Sequence, residues 1–212
     1  MSKIKEVAEL VEKGKAKLVG AAVQAALDEG CDPMQILNEG MIDTMSVVGD
    51  KFKNGEIFVP EMLVAARAMK KGVEVLKPHL ATGSTGAQGK VIIATVAGDL
   101  HDIGKNLVAM MIESAGFEVV DLGVDVAPDK IIEACRANPD TKIVCLSALL
   151  TTTMPALKDT VAALNAADFR GSIKVMVGGA PITQGFADEI GADGYSEDAA
   201  SAASLAKKLT AA

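Results

Sequence analysis

The sequence predicts an α/β protein in two parts, an N-terminal four-helix bundle followed by a five-stranded parallel sheet flanked by helices. Three observations predict it. Apolar residues recur at helical spacing up to residue 80, ATGSTGAQG at 81–89 is small, polar and glycine-rich, and short apolar runs then alternate with helical segments to the end. The expected division is therefore 1–80 for the bundle, 81–89 for a flexible linker and 90–212 for the sheet domain.

In the first part the periodic positions are Ile4, Val7, Ala8 and Val11, then Leu18, Ala22, Ala25 and Ala26. Gly14 separates these two helices, and Asp32 followed by Pro33 reads as the N-cap and first residue of a third, through MQILNEGMIDTMSVVGDKF. KNGEIFVPE interrupts the pattern, and Pro60 opens a fourth helix that stops near Pro78. Short connections favour an antiparallel bundle. In the second part the strands are VIIATVA, VVDLG, IVCLSA, VMVGG and DGYS, each followed by a helix: 104–115, 128–137, 154–167, 183–190 and 197–209. Parallel sheets of this kind bind ligands beyond the carboxyl ends of their strands.

Composition narrows the function. The net charge of −7 and pI near 4.9 give no clustered positive field, so neither nucleic acid nor an anionic membrane surface is an expected partner. No apolar stretch is long enough to span a bilayer and the charged start lacks a signal-peptide core, so a cytoplasmic location is expected. Cys31, Cys135 and Cys145 have no CxxC spacing and read as reduced structural thiols.

The chemistry concentrates at the strand ends. GDLHDIGKN, at 98–106, leaves the first strand with Asp99 and His101 two apart, close enough for the carboxylate to accept from one ring nitrogen. The other nitrogen is then a neutral acceptor able to ligate a metal. Gly104 leaves room for a bulky group near the backbone. The third strand leaves through Ser147, Leu149, Thr151 and Thr153, and the fourth ends at Gly178 and Gly179, so hydroxyls and bare backbone line the same edge.

Asp99-x-His101-x-x-Gly104, Ser147-x-Leu149 and Gly178-Gly179, in this order, resemble the cobalamin-binding (corrinoid) proteins. GMIDTMSVVGDKFKNGEIFVPEMLVAARAMK resembles the helical cap of their methyl-transferring branch, and cap plus sheet domain is similar to the pairing in cobalamin-dependent methionine synthase. The resemblance implies a Rossmann-like (flavodoxin-like) cobalamin-binding domain and a cobalamin or related corrinoid as cofactor. It implies that His101 ligates cobalt from the lower face, that Asp99 orients the ring, and that Thr153, where many relatives carry Ser, completes a proton relay. Asp102, Gly104, Ser147, Leu149, Thr151, Gly178 and Gly179 would contact the cofactor, Tyr195 and Ala199 would close the slot for its nucleotide tail, and Phe52, Phe58, Val59 and Met62 would shield the upper face.

The function so implied is a methyl carrier in the one-carbon metabolism of an anaerobe, cycling between cob(I)alamin and methylcob(III)alamin and not an enzyme by itself. One substrate-specific methyltransferase would load it, a second would pass the methyl to tetrahydrofolate or a thiol cofactor, and a reductive activase would restore it. The linker would let the cap swing away. The donor stays open among methylamines, betaines, methanol and methoxylated aromatics. Rival readings are the small subunit of a cobalamin mutase, a cobalamin-dependent regulator and a storage protein. A receiver-like phosphorylation domain lacks the acidic pocket it would need on the first strand.

Overall fold

A computed structural model describes residues 2–80 and 88–211, which fall into two compact units, one of helices and one built on the sheet. Residues 81–87, most of the stretch read as a linker, lie outside the described residues.

In the helical unit, α1 (Lys3–Glu12) is capped by Ser2, whose side chain accepts from the main-chain N–H of Lys5 at 3.3 Å, and buries Val7 and Val11. Gly14, at φ +66°, turns the chain into α2 (Ala16–Asp28), which buries Val19, Ala22, Val23 and Ala26. Asp32 caps α3 (Pro33–Leu37) by accepting from Gln35 N at 2.9 Å, with Pro33 opening the helix. The expected single third helix is instead α3, a π-helical turn at Asn38–Ile42 and α4 (Asp43–Lys53). Gly40, Met41 and Ile42 are all buried, and the wider turn lets three successive residues face inward, which the narrower α-helical turn disfavours. The fourth helix, α5 (Val59–Leu76), starts one residue before Pro60, where the Glu61 carboxylate accepts from Phe58 N at 2.7 Å. It buries the stripe Met62, Ala65, Ala66, Met69 and Leu76.

The sheet unit runs β1 (Lys90–Thr95), α6 (Ile103–Ser114), β2 (Glu118–Asp121), α7 (Pro128–Ala137), β3 (Thr141–Ser147), α8 (Met154–Asn165), β4 (Lys174–Gly178), α9 (Gln184–Ile190), β5 (Gly194–Tyr195) and α10 (Ala199–Thr210). The last two helices begin later than the apolar pattern because Thr183 and Asp198 are caps, accepting from Phe186 N and Ser201 N. All strand pairs are parallel, in the order β2-β1-β3-β4-β5. Strands β1, β3 and β4 are buried along nearly their whole length, which is why they read as continuous apolar runs. Ile92, Ala94, Val144, Leu146, Val175 and Val177 pack with Leu157, Val161 and Leu164 of α8 in one core. Strand order reverses between β1 and β3, the position at which open parallel sheets bind their ligands, and Thr95 and Ser147 stand in register at the carboxyl ends of these two strands. Among the described residues no helix is long and apolar enough to cross a membrane.

Candidate functional site

Beyond β1 the chain turns at Gly98, at φ +79°, and drives Asp99 into the protein, where it is fully buried. A buried carboxylate needs donors on both oxygens, and this one has them. Oδ1 accepts from His101 N at 3.1 Å and His101 Nδ1 at 2.7 Å, and Oδ2 accepts from Leu149 N at 2.7 Å and the Thr153 hydroxyl at 2.8 Å. Burial alone pushes the Asp99 carboxyl up, but the N–H of Leu149, the His101 ring, the Thr153 hydroxyl and the N–H of His101 together outweigh it, holding Asp99 well below the usual carboxylate range. Asp99 is therefore an ionised acceptor. The proton between it and His101 sits on Nδ1, and in the neutral ring Nε2 keeps a free lone pair on a side chain 49% exposed.

Thr95 and Asp125 clamp the turn and Lys105 anchors the helix after it, none of which the sequence alone reveals. Thr95 Oγ1 lies 2.8 Å from the carbonyl oxygen of His101 and 2.9 Å from Ser147 Oγ. Asp125, after β2, accepts from Gly98 N at 2.7 Å and donates its own N–H to the Asp99 carbonyl at 3.0 Å. It does so at φ +55°, a left-handed conformation that Asp tolerates better than most residues. Lys105 is buried, its Nζ 2.5 Å from Asp121 Oδ2 at the end of β2 and 2.8 Å from Asn106 Oδ1. The available signals were a hydroxyl ending an apolar strand at Thr95 and a lysine within the apolar stretch of α6.

Of the residues singled out in the sequence, Asp99, His101, Leu149 and Thr153 form one cluster, and Ser147 joins it through Thr95. Gly178 and Gly179 lie beside it, with Ala148 N donating to Gly178 O at 3.2 Å. Gly179 is at φ +127°, and a Cβ there would stand 1.9 Å from Ala148 O, so the exits of β3 and β4 can lie this close only because the side chain is missing. Thr151 is exposed, opening the 3₁₀ turn Thr151–Thr153. Asp102 is exposed and accepts from Asn106 Nδ2 at 3.2 Å, within its own helical turn. Tyr195 is half-buried on β5, and Ala199 is buried in the first turn of α10, farther along the edge. In the helical unit Phe58 and Val59 are exposed and Phe52 is half-buried. Met62, grouped with them in the sequence as a shield, is instead fully buried in the α5 core stripe.

The surface around His101 has an unusual composition. Leu100, Ile103, Leu149 and Leu150 are all exposed, with Leu100 at 72% and Ile103 at 85%. A Cβ added at Gly104 would meet nothing within 4 Å, so the protein's own packing does not require glycine there. Among the described residues no group of three or more His, Cys, Asp and Glu could hold a metal ion. One free imidazole nitrogen amid apolar side chains fits a metal that brings its remaining ligands in a large apolar ring.

Comparison with known proteins points the same way. Residues 89–204 match a family model described as "B12 binding domain", and residues 3–77 match a second model of the same description. The chain is 48% identical over 189 residues to trimethylamine corrinoid protein 2 of Methanosarcina acetivorans, covering 88% of this chain and 86% of the relative. It is 43% identical over 210 residues to dimethylamine corrinoid protein 1 of the same organism, covering 98% and 97%. Among solved structures, the methanol:cobalamin methyltransferase complex MtaBC from Methanosarcina barkeri superposes with a TM-score of 0.85 at 31% identity, over 99% of this chain and 80% of that one. A cobalamin-binding protein from Desulfitobacterium hafniense gives 0.81 at 30% identity, over 97% and 98%. Since the likeness extends through the helical unit as well as the sheet that presents His101, the chain belongs to the B12-binding corrinoid proteins.

Proposed function

We propose that this chain is a methyl carrier whose corrinoid is ligated at cobalt by His101, and that its methyl donor is a methylamine. The carrying observation is the His101 ring itself, fixed by Asp99 at Nδ1 and free at Nε2. When bound, the corrinoid supplies a cobalt that accepts a methyl group from one partner and yields it to another. Asp99 holds the ring in the tautomer that presents Nε2, and Thr153 and Leu149 hold Asp99. Gly104, Ser147, Leu149, Thr151, Gly178 and Gly179 line the slot for the nucleotide tail, with Asp102, Tyr195 and Ala199 at its margins.

A methyltransferase acting on the donor is the first partner, and the solved methanol:cobalamin methyltransferase complex supports such a pairing. A second methyltransferase, delivering to tetrahydrofolate or a thiol cofactor, and a reductive activase complete the set. The methylamine assignment rests on the identity to the trimethylamine and dimethylamine corrinoid proteins, higher than that to the methanol system. Incubating the corrinoid-loaded, reduced protein with methylamine and methanol methyltransferases and their substrates tests it. Methylation, seen as a change in visible absorption, is expected with a methylamine pair. Methylation by the methanol pair alone overturns the donor assignment.

Two variants test the site. His101→Gly is expected to keep the corrinoid through the tail slot while losing nitrogen coupling in the cobalt(II) EPR spectrum, and an unchanged spectrum overturns the ligand assignment. Gly104→Leu places a side chain where the protein leaves open space, so the apo protein should unfold at the same denaturant concentration or higher. Its corrinoid affinity should fall about tenfold or more, ~1.4 kcal/mol. Unchanged affinity would show that the space above Gly104 is not the cofactor's.

A further inference from the structure

Three groups link the carboxyl end of β3 to the loop that carries His101: Ser147 Oγ, Thr95 Oγ1 and the His101 carbonyl oxygen, spaced 2.9 and 2.8 Å apart. Their protons can be assigned by elimination. A carbonyl only accepts, so Thr95 donates to His101. Thr95 has one hydroxyl proton, so in the contact with Ser147 it must accept and Ser147 must donate. Thr95 is 1% exposed, so no water can readily stand in for either partner. Ser147, half-buried at the slot, is left able to accept from a ligand but has no proton to give one.

We propose that Thr95 is a positioning residue that couples the filling of the slot at Ser147 to the placement of His101. A ligand group that donates to Ser147 leaves the chain as it stands. A heteroaromatic base with an unprotonated ring nitrogen takes the Ser147 proton away from Thr95. Thr95 must then either face the Ser147 oxygen with no proton between them or turn its own proton to Ser147. Turning it satisfies both hydroxyls and releases the His101 carbonyl, so the loop can shift its ring relative to the cofactor. Seating the tail is thereby sensed at the main chain of the metal ligand, through strands β1 and β3, which hold Thr95 and Ser147 in register. The inference rests on His101 being the cobalt ligand.

The test uses the full chain, wild type and Thr95→Val or Thr95→Ser, loaded with cobalamin or with cobinamide, which lacks the nucleotide tail, and reduced to cobalt(II). The readout is the fraction of cobalt with histidine-nitrogen coupling in the EPR spectrum. In the wild type the histidine-bound to histidine-free ratio should be about fivefold higher with cobalamin than with cobinamide, within the range of ordinary site-to-site coupling. Thr95→Val should bring this preference close to one and Thr95→Ser should restore it. A role in folding alone would not move this comparison between two ligands in one protein. Should Thr95→Val fail to fold, Ser147→Ala cuts the same chain at its other end and should abolish the preference too. If the wild type shows histidine coupling but no tail preference, or Thr95→Val keeps the preference, the relay is wrong and the ligand assignment stands. If the wild-type spectrum shows no histidine nitrogen and His101→Gly leaves it unchanged, both fall.

Discussion

Gly179→Ala should destabilise the sheet unit by about 3 kcal/mol or more, or leave it unable to fold. Two penalties act at once. Its φ of +127° is a conformation that residues with a side chain rarely adopt, and the new Cβ would lie 1.9 Å from the Ala148 carbonyl oxygen and 2.8 Å from its carbon. The obstacle is main chain, so it cannot turn aside as a long side chain could; the exits of β3 and β4 would have to separate. Gly178→Ala is the internal comparison. Its Cβ would be 3.1 Å from Ser196 O, a tight contact without a left-handed φ, and about 1 kcal/mol is expected. Urea unfolding of the apo proteins checks both. A Gly179→Ala protein within about 0.5 kcal/mol of the wild type would mean that the two exits are not packed as described.

Asp99→Ala should cost about 3–4 kcal/mol, because it strands the main-chain N–H groups of Leu149 and His101 together, whereas the Thr153 hydroxyl keeps the Leu150 carbonyl oxygen 2.9 Å away. Asp99→Asn is the more discriminating change. The two carboxylate oxygens each accept from a main-chain N–H, Oδ1 from His101 and Oδ2 from Leu149. Whichever way the amide is turned, its NH₂ therefore opposes an N–H, and neither donor can move without moving a strand-end loop. A loss of about 2 kcal/mol is expected despite the near-identical shape. Denaturant unfolding of the apo variants should rank them wild type, Asn, Ala. Equal stability of Asn and wild type would overturn the two-sided acceptor role.

The order of elements and most helix ends were legible because each had a local cause. Asp32 with Pro33, the continuous apolar runs of β1, β3 and β4, and the Gly178-Gly179 pair all act within a few residues of themselves. The contact between Asp99 and His101 was legible for the same reason, being two residues apart. What escaped depends on register and on the face a residue presents. Thr95 meets Ser147 only because β1 and β3 pair in one register, and Asp125 reaches Gly98 across 27 positions. Thr183 and Asp198 read as helix but serve as caps just outside it. Met62 is grouped with Phe58 and Val59 by the resemblance of the cap, which does not say which face of a helix each residue presents; packing places Met62 in the core and Val59 outside it. The π-turn at Asn38–Ile42 adds a residue to a helical pattern that otherwise looks unbroken.

The two cysteines of the sheet unit bear on the chemistry proposed for it. Burial pushes the Cys145 thiol up to about 12 and the Cys135 thiol up to about 11. The thiolate is the form that attacks electrophilic carbon, and burial disfavours it in both side chains. Cys145 lies on β3 only two residues before Ser147, but it is buried in the strand core, so an alkylating reagent reaches it only when the sheet opens. The same apolar packing that builds the sheet thereby keeps this sulfur a core atom, out of the chemistry at the carboxyl edge of the strands.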